Sequence, residues 1–142
     1  MTCTGVFVTG TDTGVGKTLV AAGLVRLLAQ DGRRVVGLKP VASGASLGAQ
    51  GLRNDDALAL AAESSVPLPY ELSNPYCFAP AIAPHLAAAE TGRAIAVPAL
   101  VDWYRRATAG CVTTTVQLTV LAVVTGVAPV SVSAAVPVLA MV

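Results

Sequence analysis

The residues from Gly10 to Thr18 constrain the fold of this chain more than any other stretch. They read Gly-Thr-Asp-Thr-Gly-Val-Gly-Lys-Thr, follow the apolar run Gly5–Thr9 and lead into a helical pattern over Lys17–Gln30. Glycines let a backbone adopt positive φ and approach a ligand closely, and a helix N-terminus points several N–H groups at an anion. This order predicts a phosphate-binding loop in which Lys17 contacts the β- and γ-phosphates and the Thr18 hydroxyl coordinates Mg²⁺.

The spacing of this loop differs from its commonest form by one residue. The pattern Gly-x-x-x-x-Gly-Lys-Thr needs glycine at position 11, but Thr11 stands there and the upstream glycine is Gly10. The loop is therefore one residue longer than usual. The alternative is a glycine-rich turn with an exposed lysine, but the strand, glycines, Lys-Thr and helix all occur in the order that a nucleotide site requires.

A second strand follows the first helix closely. Asp31-Gly32 is expected to end the helix, with glycine in the left-handed conformation, and residues 34–39 read as a strand closed by Pro40. Strand, helix and strand in close succession form a βαβ unit, whose strands lie parallel. The sequence therefore predicts an α/β fold, a P-loop NTPase-like parallel sheet flanked by helices. The helix is expected to bury one apolar stripe, formed by Val20, Leu24, Leu27 and Leu28.

Three further helices are predicted, over residues 56–63, 85–90 and 97–106. Asn54 or Asp55 can cap the first of them, because short polar side chains accept hydrogen bonds from a helix's first N–H groups. Trp103 is expected on the buried side of the third. The stretch 66–84 contains five prolines and is predicted to be loop or extended chain.

Composition narrows the possible classes of protein. A chain of 142 residues with a formal charge of +1 fits one domain, or part of one, and does not favour a nucleic-acid partner. Three widely separated cysteines without metal-ligand spacing are typical of a reducing compartment. The first ten residues lack the basic and apolar regions of a targeting segment. We therefore expect a cytoplasmic protein with no membrane partner.

Four stretches, in this order and spacing, resemble the dethiobiotin synthetases over about residues 5–105. Phe7–Thr18 is similar to the opening of that family, which carries the lengthened loop. Gly37–Gly44, Gly-Leu-Lys-Pro-Val-Ala-Ser-Gly, resembles its second strand and substrate loop. Gly51–Leu60 resembles its acidic metal-site segment. Asn74–Phe78, followed by Ala83-Pro84-His85, resembles its substrate-side loop.

The resemblance implies an ATP- and Mg²⁺-dependent ligase of biotin biosynthesis. In that family an amine of 7,8-diaminopelargonate takes up CO₂ as a carbamate, ATP phosphorylates the carbamate, and the second amine displaces phosphate to close the ring of dethiobiotin. The carbamate, the triphosphate and the transferred phosphoryl group are all anionic, so the reaction needs positioned cations. The resemblance also implies a homodimer with the substrate near its interface.

The resemblance assigns roles to particular residues. Lys39 is implied as the catalytic lysine, which steadies the carbamate and the transferred phosphoryl group. The implied ATP-binding residues are Gly14, Val15, Gly16, Lys17, Thr18, Leu19 and Asp56. Thr13 and Ser43 are implied to contact the substrate, and Thr18 and Asp56 to hold Mg²⁺, a hard cation that prefers oxygen ligands. Many family members have glutamate where Gly14 stands, so a side-chain role is absent there.

Each of the less regular assignments has a simpler alternative. Lys39 could be a solvated lysine at a strand end, and Asp56 a charge favoured by the helix dipole. Ser43, in Ala-Ser-Gly, could be only a turn residue.

The resemblance stops near residue 106. The family would continue with a third strand that ends in glutamate and then Gly-Ala-Gly-Gly, whereas residues 107–142 contain no charged residue and are mostly Val, Ala, Thr and Pro. We expect a family-like domain over 1–106 and, over 107–142, a tail that is not family-like, so that the C-terminal part is truncated or replaced. A frameshift or sequencing error explains this best. A genuinely diverged or truncated protein and a membrane anchor are the alternatives. We expect a product of low stability that is weakly active or inactive.

Other functions compete with dethiobiotin synthesis. A related ATP-dependent amidoligase of the cobyrinate type would carry a similar phosphate loop. A partition-type ATPase switch would carry an extra lysine early in the loop, in a Lys-Gly-Gly context, and Thr11–Gly14 has none. A defective product with no activity is the remaining possibility.

Overall fold

A computed structural model describes residues 4–10, 12–109, 116–120 and 138–141. The helices are α1 (Lys17–Gln30), α2 (Asp55–Glu63), α3 (Tyr70–Ser73), α4 (Pro84–Glu90) and α5 (Val97–Thr108). The strands are β1 (Thr4–Val8), β2 (Val36–Leu38), β3 (Val41–Ala42), β4 (Ser46–Gly48), β5 (Gly51–Arg53), β6 (Tyr76–Cys77), β7 (Val116–Val120) and β8 (Val138–Met141).

The main sheet has four parallel strands in the order β2-β7-β1-β8. In its register Val6 lies between Leu118 of β7 and Leu139 of β8, and Gly37 of β2 pairs with Leu118. The predicted parallel α/β sheet is confirmed. β1 and β2 are parallel but are not neighbours, because β7 lies between them. All four strands run the same way, so the segments that follow β1 and β2 leave the sheet at the same edge.

Two strands of this sheet come from the charge-free stretch 107–142. They are β7 and β8, and they pair with β1 and β2, which lie before the boundary predicted at residue 106. The sheet therefore contains strands from both sides of that boundary. The structure describes only 107–109, 116–120 and 138–141 of that stretch, so most of the predicted tail lies outside the described residues. The division into a domain and a tail stays a prediction.

α1 has the bounds that the sequence predicts, but it buries a different face. Gly32 has φ 75° and ends the helix in the expected left-handed conformation. The predicted stripe is wrong in part, because Val20 and Leu27 are 49% and 63% exposed. The fully buried positions are Ala21 and Val25. The small alanine lets the helix axis approach the sheet, and this rotates the longer side chains on either side toward solvent.

α2 lies directly against β2. A β-carbon added to Gly37 would lie 2.8 Å from the β-carbon of Leu60, which is fully buried. The Ser64 hydroxyl at the end of α2 accepts a hydrogen bond from the Gly37 N–H at 2.9 Å. At the other end, the side-chain oxygen of Asn54 accepts a hydrogen bond from the Ala57 N–H at 3.3 Å, so the predicted asparagine cap is confirmed.

The proline-rich stretch 66–84 contains regular structure that the sequence did not predict. It includes α3, and β6 pairs in parallel with β3. α5 holds this stretch in place, since the Trp103 indole N–H donates to the Leu72 carbonyl at 2.8 Å and Trp103 is only 4% exposed. The predicted burial of Trp103 is confirmed. Among the described residues, no helix has the length and apolar character needed to cross a membrane.

Candidate functional site

A cavity of about 730 Å³ lies at the edge of the sheet where the chain leaves β1 and β2. It is lined by Thr13, Gly14, Gly16, Lys17, Thr18, Lys39, Val41, Ser43, Asp56, Ala81, Ile82, Ala83 and Pro84. The structure thus brings together the predicted site residues except Val15 and Leu19, whose side chains are 56% and 79% exposed and are not among the lining residues.

The glycines of the phosphate loop are required by backbone conformation. Gly14 and Gly16 have φ of 78° and 91°, and an added β-carbon would meet nothing within 4 Å at either position. Residues that carry a β-carbon rarely adopt such positive φ angles. Gly10 is different, because an added β-carbon would lie 3.0 Å from the Lys17 side chain. Thr11 lies outside the described residues.

The side chain of Lys17 folds back along the loop. Its ammonium group donates a hydrogen bond to the backbone carbonyl of Asp12. The Asp12 carboxylate in turn accepts from the Thr13 N–H at 2.7 Å. These bonds hold the lysine close to the loop backbone and over the N-terminus of α1, where an anion would also be stabilised by the helix dipole.

Lys39 and Asp56 form the central ion pair of the cavity. Lys39 comes directly after β2 and Asp56 lies in the first turn of α2, and the packing of α2 on β2 brings the Lys39 Nζ to 2.8 Å from the Asp56 Oδ2. The Lys39 side chain is 12% exposed and that of Asp56 is 44% exposed. Because Lys39 follows a strand yet is largely covered, it is not a freely solvated strand-end lysine.

The electrostatic environment keeps Asp56 ionised. Burial by itself would raise the pKa of the Asp56 carboxyl, but the hydrogen bond and the charge of Lys39 outweigh burial and hold that pKa below its ordinary value. A hydrogen bond from Thr18 and the charge of Lys17 lower the pKa further. Two ammonium groups and one carboxylate thus face the cavity, an excess of positive charge that suits an anionic ligand.

Thr18 and Asp56 supply oxygen ligands of the kind that Mg²⁺ takes. Mg²⁺ in nucleotide sites usually binds one or two protein oxygens and fills its other positions with phosphate oxygens and water. Thr18 and Asp56 are within hydrogen-bonding reach of each other beside the phosphate loop, and this fits such a site. No group of three or more His, Cys, Asp or Glu in the described ranges could hold a metal, so an all-protein cage is not formed there.

Sequence reasoning did not identify the individual residues that form one apolar wall of the cavity. The apolar residues that line the cavity are Ala81, Ile82, Ala83 and Pro84, together with Val41 from β3. The only signal for this wall in the sequence is the resemblance of Ala83-Pro84-His85 to a substrate-side loop. The wall is apolar, so the cavity has one charged side and one side suited to hydrocarbon.

Comparison with known proteins agrees with this geometry. A family model described as an AAA domain matches residues 4–136. An ATP-dependent dethiobiotin synthetase of Chromohalobacter salexigens is 58% identical over 95 residues, which is 67% of this chain and 40% of the relative. The similar enzyme of Salmonella typhi is 55% identical over 89 residues, 63% of this chain and 39% of the relative. The enzyme of Pseudomonas paraeruginosa is 54% identical over 99 residues, which is 70% of this chain and 43% of the relative. The chain thus spans about two fifths of the length of these curated relatives.

Proposed function

We propose, from the premise that the chain belongs to the AAA-domain family and is 58% identical over 95 residues to a dethiobiotin synthetase, that its cavity binds ATP and Mg²⁺ for the synthesis of dethiobiotin. The reaction proposed is the carboxylation and ring closure of 7,8-diaminopelargonate with CO₂. The observation that carries the proposal is the meeting of Lys17, Thr18, Lys39 and Asp56 around one cavity. Related enzymes over 50% identical to this chain are named for the same activity.

The phosphate loop is proposed to bind the triphosphate. Gly14 and Gly16 have the positive φ that lets successive N–H groups face one anion. The ammonium group of Lys17 is close enough to exchange its bond to a loop carbonyl for one to the β- and γ-phosphates. Mg²⁺, when bound by Thr18 and Asp56, would supply neutralisation of the phosphate charge. The exposed Val15 and Leu19 would contribute their backbone to this site and not their side chains.

Lys39 is proposed to act on the reacting groups. Its ammonium group lies between Asp56 and the open cavity, where it can donate hydrogen bonds to the carbamate and to the transferred phosphoryl group. Asp56 keeps this ammonium in place before the substrate binds. The Ser43 hydroxyl and Thr13 are proposed to contact the substrate, while Ile82 and Val41 contact its hydrocarbon chain.

The proposed reaction begins when one amine of the substrate adds to CO₂ and loses a proton, which gives a carbamate. A carbamate oxygen attacks the γ-phosphorus of ATP and ADP leaves, which gives a carbamic–phosphoric anhydride. The free amine of the same substrate then attacks the carbamate carbon, the C–O bond to phosphate breaks, and one proton leaves the amine. In the first step negative charge moves from the carbamate oxygen to the leaving ADP, and in the second step it develops on the leaving phosphate, so a fixed cation beside these atoms lowers both barriers.

The test measures dethiobiotin formed from 7,8-diaminopelargonate, bicarbonate, ATP and Mg²⁺, with ATP binding measured separately by calorimetry. We expect ATP to bind and dethiobiotin to form at a low rate, and Lys39→Ala to lower that rate far more than it weakens ATP binding. Binding of ATP without any dethiobiotin from the parent chain would refute the proposed reaction and leave a nucleotide-binding function. Failure to bind ATP would refute the assignment of the loop itself.

The two alternatives predict other products. A partition-type switch would hydrolyse ATP faster in the presence of DNA and would form no dethiobiotin. A related amidoligase would consume ATP with an amine donor and a carboxylate in place of diaminopelargonate. The expected homodimer and cytoplasmic location stay predictions from the resemblance, and analytical ultracentrifugation tests the first of them.

A further inference from the structure

Two asparagines lie behind the cavity and do not line its charged side. Asn54 is 7% exposed and Asn74 is 2% exposed, and both are among the few polar residues in the buried part of the described chain. Burying an amide without hydrogen-bond partners costs free energy, so a buried asparagine is hydrogen-bonded, and its partners show which segments of the chain it connects. In both cases those partners belong to the segments that carry the site residues.

Asn74 is bonded to the backbone of Lys39. Its side-chain N–H donates to the Lys39 carbonyl at 2.6 Å and to the Tyr76 carbonyl at 3.3 Å. Its side-chain oxygen accepts from the Tyr70 hydroxyl at 2.9 Å. The neighbouring Ser73 carbonyl accepts from the Lys39 N–H at 2.9 Å, so both backbone polar groups of Lys39 are held by this turn.

Asn54 connects the other two site segments. Its side-chain oxygen caps α2, two residues before Asp56, by accepting from the Ala57 N–H. Its side-chain N–H donates to the Ser43 carbonyl at 3.2 Å. One asparagine therefore fixes the start of the helix that carries Asp56 to the loop that carries Ser43.

The hydroxyl of Tyr70 joins the two asparagines. It accepts a hydrogen bond from the Asn54 backbone N–H at 2.8 Å and donates one to the Asn74 side-chain oxygen at 2.9 Å. The Arg53 guanidinium lies 4.1 Å from the centre of its ring, and the Cys77 sulfur lies 3.6 Å from its oxygen. The phenol thus links the half of the network that holds the Lys39 backbone to the half that holds Ser43 and the start of the helix of Asp56.

We propose that Tyr70, Asn54 and Asn74 are positioning residues that set the distances among Lys39, Ser43 and Asp56. The inference rests on the proposed function, in which those three side chains act on the substrate and metal. Lys39, Ser43 and Asp56 come from three separate segments, and a displacement of 1 Å in one of them is enough to cost a large part of a catalytic rate. The network bonds each segment at the site residue itself or at the cap of its helix.

The donor role of Tyr70 requires a protonated phenol. Burial raises the pKa of Tyr70 to about 12, with the backbone bond from Asn54 acting in the opposite direction and Cys77 raising the pKa further. The hydroxyl therefore donates to Asn74 throughout the range in which proteins function. This agrees with the direction of the hydrogen bond that the geometry shows.

The test uses the fact that Lys17 and Lys39 are the two lysines of the chain. Brief acetylation of the folded chain followed by mass spectrometry gives the ratio of modified Lys39 to modified Lys17, and Lys17 is an internal reference outside the network. Lys39 is mostly covered and paired with Asp56, so the ratio is expected to be well below one in the parent. The measurement requires no catalytic turnover.

Two variants each remove part of the network. Tyr70→Phe keeps the ring under Arg53 but removes both bonds of the hydroxyl. Asn54→Asp keeps the acceptor that caps α2, since aspartate caps as well as asparagine, but removes the donor to the Ser43 carbonyl. Each should raise the labelling ratio about fivefold, the factor that corresponds to the loss of one ordinary hydrogen bond.

Ser64→Ala is the matched control. It removes the 2.9 Å hydrogen bond from the N–H of Gly37, in the strand that precedes Lys39, and the 2.8 Å bond to the Leu60 carbonyl, but neither Gly37 nor Leu60 belongs to the network. It should lower the urea midpoint by as much as the two variants and leave the labelling ratio unchanged. If the two variants also leave the ratio unchanged at equal loss of stability, the network only supports the fold and the proposal is overturned.

Steady-state kinetics provides a second, separate measurement. With the parent forming dethiobiotin, Tyr70→Phe and Asn54→Asp should lower kcat at least about fivefold and leave the KM for ATP within a factor of about two, because the phosphate loop lies outside the network. If the parent forms no dethiobiotin, the proposed function fails, while the labelling ratio still decides whether the network positions Lys39. Equal changes in kcat for Ser64→Ala and Tyr70→Phe would count against positioning.

Discussion

Replacing Gly37 with alanine would put a methyl group against the backbone of α2. The added β-carbon would lie 2.8 Å from the β-carbon, 3.0 Å from the carbonyl oxygen and 3.3 Å from the carbonyl carbon of Leu60. Two of these three atoms are backbone, so no change of side-chain rotamer relieves the contact. The helix must move away from β2, and Leu60, which is now fully buried, must lose some of its packing.

The cost can be estimated from the kind of contact. Adding one methylene to a packed core costs about 1–3 kcal/mol, and contacts with backbone lie at the upper end because the neighbour cannot rotate away. We therefore expect Gly37→Ala to lower the free energy of unfolding by about 3 kcal/mol. With a urea slope of about 1–3 kcal/mol per molar for a small domain, the midpoint should fall by at least about 1 M.

Trp103 is the reporter for this measurement. It is the only tryptophan of the chain, it is 4% exposed, and its indole N–H bonds to the Leu72 carbonyl, so its fluorescence follows the loss of tertiary structure. Urea titrations of the parent and the variant, with circular dichroism as a second probe, give the two midpoints. Coincident transitions by both probes are the condition for comparing free energies.

Gly23→Ala is the matched control because it makes the same chemical change in open space. Gly23 lies within α1, and an added β-carbon would meet nothing within 4 Å. Alanine in a helix is more stable than glycine by about 0.5–1 kcal/mol, so this variant should gain stability. Equal midpoints for Gly37→Ala and the parent would refute the close packing of α2 on β2.

The remaining predictions concern the charged groups. Lys39→Ala should lower kcat for dethiobiotin at least about a hundredfold and change ATP affinity little, whereas Lys17→Ala should weaken both; kinetics and calorimetry separate the two. The lowered pKa of Asp56 means that the stability from its pair with Lys39 is present above its ordinary value of 3.8 and is lost as pH falls through the folded pKa. The difference in urea midpoint between the parent and Asp56→Asn should therefore shrink in acid, and a constant difference would contradict the pairing. The pKa of Tyr70, about 12, should appear in an ultraviolet titration as a phenol that ionises well above the ordinary value of 10 and that returns to it in the unfolded chain. Because the unfolded phenol ionises near pH 10, stability should fall as pH rises above about 10.

Local features of the site were predictable from sequence. Gly14 and Gly16 need positive φ because of the turn that they form, and Lys17 and Thr18 follow at offsets fixed by the start of a helix. The Asn54 cap is local too, since its acceptor reaches only to Ala57. Each of these depends on backbone geometry within a few residues, and short-range geometry is encoded in the residue types themselves.

The face that α1 buries was not predictable in the same way. Helical spacing grouped the larger apolar residues, yet Leu27 is exposed while Ala21 is buried. Periodicity shows that a helix has an apolar side, but the depth of its contact with a sheet depends on which small residues the partner strand accommodates. The short helix in the proline-rich stretch is a similar case, because Trp103, far along the chain, bonds to it.

By itself, the sequence determined that this chain has a strand, a phosphate loop and a helix in that order, since these rest on local conformation and on residue chemistry. Only the tertiary structure decided that β7 lies between β1 and β2, and that Lys39 meets Asp56 at 2.8 Å. Both depend on how separate segments pack, and the close approach of α2 to Gly37 is what brings that lysine and that carboxylate together. The phosphate loop of the site therefore follows from local sequence, whereas the pairing of Lys39 with Asp56 follows from tertiary packing.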